Sequence, residues 1–128
     1  VKRALVLIQD NPLRETVLDV LHDAQILANG VSGERTACTI LRRIREPLVV
    51  VVDERYASLL DGCEEIAPHE RIVLDSSGML RGRQVRYDHS GNAVLPLPFE
   101  IDVLVRQVEL ACASVEAAHP LTLSVSAS

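Results

Sequence analysis

The chain has 128 residues, 13 basic against 18 acidic side chains, and a net charge of -5. That length makes one domain with a real core and leaves no room for a second. The acidic balance, with no tryptophan, one phenylalanine and two tyrosines, argues against general nucleic-acid binding by charge or by base stacking.

Leu5-Val6-Leu7-Ile8 reads as a first strand, followed by Gln9 and Asp10. Asn11-Pro12 then supplies a cap and a proline at a helix start, and Leu13, Val17, Val20, Leu21 and Ala24 follow at helical spacing. A short second strand is expected over 25–28, with a turn at Gly30, Ser32 and Gly33. Ala37, Ile40, Leu41 and Ile44 mark a second helix by their i, i+3, i+4, i+7 spacing, with Glu34, Arg35, Arg42, Arg43 and Arg45 on its wet side. Pro47 closes it. The run Val49-Val50-Val51-Val52 is a third strand ending in Asp53.

A weak third helix is expected over 57–66 despite Gly62, and Pro68 stops it. Ile72-Val73-Leu74 is a fourth strand ending in Asp75. Residues 78–92 contain Gly82 and Gly91 and no helical stripe, while Val85 and Tyr87 alternate with polar residues, so a loop or a short extended piece is expected there. Ala93-Val94-Leu95 is a fifth strand. From Phe99 a long helix carries Ile101, Leu104, Val105, Val108, Ala111, Cys112 and Val115 in one stripe, with Val103 and Leu110 opposite as an exposed apolar pair suited to an interface. His119-Pro120 ends it. The expected organisation is a domain over 1–118 and a tail or linker over 119–128, in which Leu121, Leu123 and Val125 alternate; the absence of an initiating methionine suggests a fragment.

Helices between successive strands make the connections parallel crossovers, so Asp10, Asp53 and Asp75 converge at the carboxyl edge of one sheet, where open α/β folds place their ligand sites. Cys38, Cys63 and Cys112 are odd in number and lack metal-ligand spacing; three thiols in a reducing compartment are expected, with no disulfide framework. His22, His69, His89 and His119 match no ligand pattern. No apolar stretch approaches the roughly 20 residues of a membrane span, and Val1-Lys2-Arg3 leads into a strand rather than a signal-peptide cleavage region. The expectation is cytoplasmic, with no membrane or direct nucleic-acid partner.

The sequence resembles the receiver domains of two-component response regulators from Arg3 to about Ser114. Leu7-Ile8-Gln9-Asp10-Asn11-Pro12-Leu13-Arg14 is similar to the family's acidic loop, and Pro47-Leu48-Val49-Val50-Val51-Val52-Asp53 looks like the strand bearing its phosphoacceptor aspartate. Asp61-Gly62 echoes a family Asp-Gly one residue later than usual, and Leu95-Pro96-Leu97-Pro98-Phe99 resembles the Lys-Pro-Phe loop with leucine in place of lysine. The resemblance implies a flavodoxin-like five-stranded parallel sheet of order 2-1-3-4-5 with helices on both faces. The helix before the last strand is degenerate or missing.

It also implies Asp53 as phosphoacceptor and Asp10 with Asp53 as magnesium ligands. The departures bear on that chemistry. Gln9 replaces the first acid, and Leu97 replaces the lysine that pairs with phosphoryl oxygens. Asp75 falls at the family's serine or threonine switch position, with Ser76 there if the alignment slides by one. Arg55, Tyr56 and Ala57 stand where the family has a proline. These changes imply an atypical receiver with a weak magnesium site or none and weak or no phosphorylation. It would be a non-enzyme acting through a protein partner, a histidine kinase or a homodimer. The alternative is a working receiver holding magnesium at Asp10 and Asp53. A metal-dependent flavodoxin-like hydrolase is a third reading, opposed by the lack of a nucleophile paired with a base or a glycine-rich phosphate loop. Arg81, Arg83 and Arg86 suit an acidic partner or phosphate, but an arginine-rich loop is more often simply solvated.

Overall fold

The computed structural model describes residues 2–44, 48–62, 69–75, 85–87, 93–96 and 99–117. In chain order the elements are β1 (Arg3–Leu7), α1 (Asn11–Asp23), β2 (Leu27–Val31), α2 (Glu34–Arg43) and β3 (Leu48–Asp53). Then come α3 (Glu54–Gly62), β4 (His69–Asp75), β5 (Arg86–Tyr87), β6 (Ala93–Pro96) and α4 (Ile101–Ala117).

The sheet runs β2-β1-β3-β4-β6-β5. Its first five strands are parallel and have the flavodoxin-like order expected from the sequence. A sixth, β5, is added antiparallel to β6 at the edge, with Arg86 opposite Val94 and Tyr87 opposite Ala93. It corresponds to the short extended piece expected within 78–92; the other residues of that segment lie outside the described ones.

Alternation along the strands divides the core in two. Ala4 and Val6 of β1, Val49 and Val51 of β3, and Ile72 and Leu74 of β4 pack with Val17 and Leu21 of α1 and Leu104 and Val108 of α4. Leu5, Leu7, Val50, Val52 and Val73 face the other way, against Ala37 and Leu41 of α2 and Tyr56 and Leu60 of α3. The valine run of β3 is buried on both faces, as a central parallel strand requires.

Several expected boundaries move. Gln25 adopts φ 62 at the end of α1, where its N–H bonds to the His22 carbonyl and the Ile26 N–H to the Leu21 carbonyl. That left-handed helix ending delays β2 to Leu27 and carries it through Gly30 to Val31. A Cβ at residue 30 would lie 2.8 Å from Leu18 Cδ1, so a side chain there requires Leu18 to move aside. The third helix begins at Glu54, three residues before the expected start, because Asp53 caps it. Its expected extension to Ile66 lies outside the described residues.

On α4, Ile101 is exposed, so the buried stripe starts at Leu104. Val103 is half-buried and packs against the core. Its flank of the helix rolls onto the sheet beside Leu104, leaving Leu110 alone as the exposed member of the expected pair.

The cysteine expectation is corrected as well. Cys38 in α2 is disulfide-bonded, Cys112 is a free buried thiol, and Cys63 lies outside the described residues. Spacing along the chain carries no information on which side chains folding brings together. Among the described residues, no helix is long and apolar enough to cross a membrane. The tail over 119–128 lies outside them.

Candidate functional site

Two of the three acids at the carboxyl edge cap helices. Asp10 has extended backbone, φ -70 and ψ 117, and its Oδ2 accepts the Leu13 N–H at 2.9 Å, satisfying a donor of the first turn of α1. Asp53 ends β3 and does the same for α3, its Oδ1 accepting the Tyr56 N–H at 3.0 Å. Its other oxygen, Oδ2, accepts the N–H of Gln9 at 3.0 Å. The loops after β1 and β3 are therefore fastened together by one carboxylate.

The strand register explains why the loops meet there. Leu7 pairs with Val52, so Gln9 leaves β1 beside the end of β3. Asp53 in turn pairs with Leu74, which puts Asp75 one position further along the neighbouring strand. Asp75 remains in the sheet as the half-buried last residue of β4, opposite Pro96 of β6. Ser76 and Leu97, the other switch-position candidate and the lysine replacement, lie outside the described residues.

Two side chains that composition and spacing did not single out complete this edge. Arg14, one turn into α1, reaches back over the loop: its Nη1 donates to the Ile8 carbonyl at 2.8 Å and, at 3.5 Å, to that of Gln9, while Nη2 donates to Asn11 Oδ1. Helical side chains lean toward the N-terminus, so a long cation at this place is aimed at the loop below it. Tyr56, 3% exposed, accepts the N–H of Gly33 on its phenolic oxygen at 2.5 Å. A tyrosine three residues after a strand-ending aspartate was the available signal, since a buried phenol must find a polar partner.

The edge thus offers carboxylates already engaged by backbone donors. Three oxygens, Oδ2 of Asp10 and both of Asp53, accept main-chain N–H groups. Among the described residues, no three His, Cys, Asp or Glu side chains gather closely enough to hold a metal ion. Each engaged oxygen retains a second lone pair, and water would have to fill the rest of a cation's shell.

Leu110 lies elsewhere, beside a groove lined by Lys2, Arg106, Glu109, Cys112 and Glu116. Lys2 Nζ pairs with Glu109 there at 2.8 Å, and Cys112 Sγ lies 3.8 Å from the Arg3 carbonyl, on the amino-terminal side of β1. Burial pushes the Cys112 thiol up from its ordinary pKa. Leu110 is accordingly not part of the carboxyl-edge arrangement.

No family model matches the chain, and no curated protein does. Solved structures do. The receiver domain of response regulator 1452 from Francisella superposes with a TM-score of 0.67 at 18% identity, over 89% of this chain and 98% of that one. A response regulator receiver modulated diguanylate cyclase from Pelobacter carbinolicus gives 0.69 at 21% identity, over 92% of this chain and 97% of that chain. NtrX from Brucella abortus gives 0.72 at 18% identity, covering 94% of this chain but 28% of the larger one. At these identities the likeness establishes the fold: the chain has the architecture of a response-regulator receiver domain.

Proposed function

We propose that the chain is an atypical receiver-like signalling domain, spanning 1–118, that works through protein contacts and accepts phosphate at Asp53 weakly or not at all. The observation that carries this reading is the engagement of both Asp53 oxygens by the N–H groups of Gln9 and Tyr56. A carboxylate held by two backbone donors has its charge partly compensated, which lowers its nucleophilicity and makes it a structural fastener.

Three further features support it. Gln9 brings a neutral amide where the resemblance implies a carboxylate. Arg14 sets a positive charge over the same loop, bound to its carbonyls, and this disfavours a divalent cation nearby. Leu97 supplies no charge for a phosphoryl oxygen. The residues therefore suit magnesium poorly, and a water-rich ion on Asp10 and Asp53 is the most they would hold. The domain is not an enzyme on this reading. Its partners are other proteins, a histidine kinase or a second copy among them, with 119–128 as tail or linker.

Amide NMR during a magnesium titration tests the proposal. No saturable shift at Gln9, Asp10, Asp53 or Tyr56 is expected at concentrations that fill an ordinary receiver. Tight, saturable shifts confined to those amides would instead support the working receiver.

A further inference from the structure

Tyr56 joins two helices. Its backbone N–H is held by Asp53 Oδ1 at 3.0 Å, and its phenolic oxygen accepts the Gly33 N–H at 2.5 Å. The ring between these two bonds is buried, so the close-packed interior fixes both ends together. Gly33 is the N-cap residue of α2 and has no side chain with which to cap it. Its φ of 98 also excludes most residues that could. The entry into α2 is therefore anchored from a neighbouring helix, and that anchor is itself seated on Asp53.

The outward side of α2 is cationic. Arg35, Thr39, Arg42 and Arg43 are all exposed, and Arg35 and Arg42 share a face, seven residues apart. On a chain of net charge -5 this concentrates positive charge on one element, complementary to an acidic surface. The overall negative charge opposes a nucleic acid at the same place.

The geometry points to α2 as the output surface of this domain, positioned from Asp53 through Tyr56 and suited to an acidic protein partner. This deepens the reading of an interaction module. Any change at Asp53 that releases the Tyr56 N–H loosens the first turn of α3, shifts the phenol and frees the Gly33 N–H at the start of α2. Arg35 and Arg42 then change position relative to the sheet.

The test uses amide NMR on the whole chain without magnesium or phosphodonor, with polyglutamate as the acidic probe. Asp53→Ala and Tyr56→Phe should both move the amides of Gly33 and the first turn of α2, and the two effects should be non-additive in the double variant. Polyglutamate should shift amides across α2, several-fold more weakly in Tyr56→Phe and not at all in Arg35→Glu/Arg42→Glu. Tyr56→Phe keeps the ring in the core, so the test survives should Asp53→Ala fail to fold. The inference is overturned if Asp53→Ala moves the Tyr56 amide while α2 stays still, if polyglutamate binds elsewhere, or if duplex DNA shifts α2 where polyglutamate does not. Since no phosphate donor is present, these outcomes are independent of whether Asp53 can be phosphorylated.

Discussion

The carboxylate of Asp53 accepts the main-chain N–H of Gln9 at 3.0 Å, tying the end of β3 to the loop that leaves β1. The same side chain caps α3 through Tyr56. Replacing it with alanine removes an N-cap and a loop fastener, and a loss of about 1–2 kcal/mol is expected in urea denaturation. Asn should lose less, because its amide oxygen still accepts one of the two bonds. An alanine variant as stable as the parent would mean that repulsion among the edge carboxylates outweighs the caps.

Arg14 should be sensitive to geometry as well as to charge. Truncation to alanine strips the guanidinium from the Ile8 and Gln9 carbonyls, at an expected cost of about 1–2 kcal/mol, and speeds amide exchange in the loop after β1. Lysine restores the charge but not the planar fork, so Arg14→Lys should recover only part of the loss. Full recovery would show that the charge alone matters.

Two leucines on α4 separate core from surface. Leu104 is fully buried, and Leu104→Ala should cost about 2–5 kcal/mol. Leu110 is 52% exposed, and Leu110→Ala should change monomer stability by no more than about 0.5 kcal/mol. If the Leu110 variant also alters sedimentation at high concentration, this side chain contributes to self-association.

Burial raises the Cys112 thiol, first by desolvation. The raised pKa leaves less thiolate at a given pH, so iodoacetamide labelling of Cys112 should be slow in the native protein and fast once it is unfolded. The linkage sign follows: the folded state holds this proton more tightly, so the contribution to stability is complete below the unfolded thiol pKa and is lost as pH rises through the folded one. Rapid native labelling at neutral pH would contradict the burial.

The strand order was legible because apolar runs, parallel crossovers and strand-ending acids agree with one another. The edges of elements were less so. Gln25 bends into a left-handed helix ending that no propensity marks, and α3 starts early because Asp53 acts as its cap rather than as a loop acid. At the site, Asp10 and Asp53 stood out as carboxylates, yet their hydrogen-bonding work depends on the register of β1 against β3. Arg14 and Tyr56 were hidden for the same reason: what each touches is decided by the packing of neighbouring elements. The Cys38 disulfide likewise required spatial proximity that spacing along the chain does not encode.

The most direct measurement is intact mass after incubation with acetyl phosphate and magnesium, with Asp53→Asn in parallel. An Asp53 committed to Gln9 and Tyr56 predicts no phosphoryl adduct, or a trace, under conditions that load an ordinary receiver. A stoichiometric adduct, absent from Asp53→Asn, would contradict the account and make the domain a working phosphoacceptor.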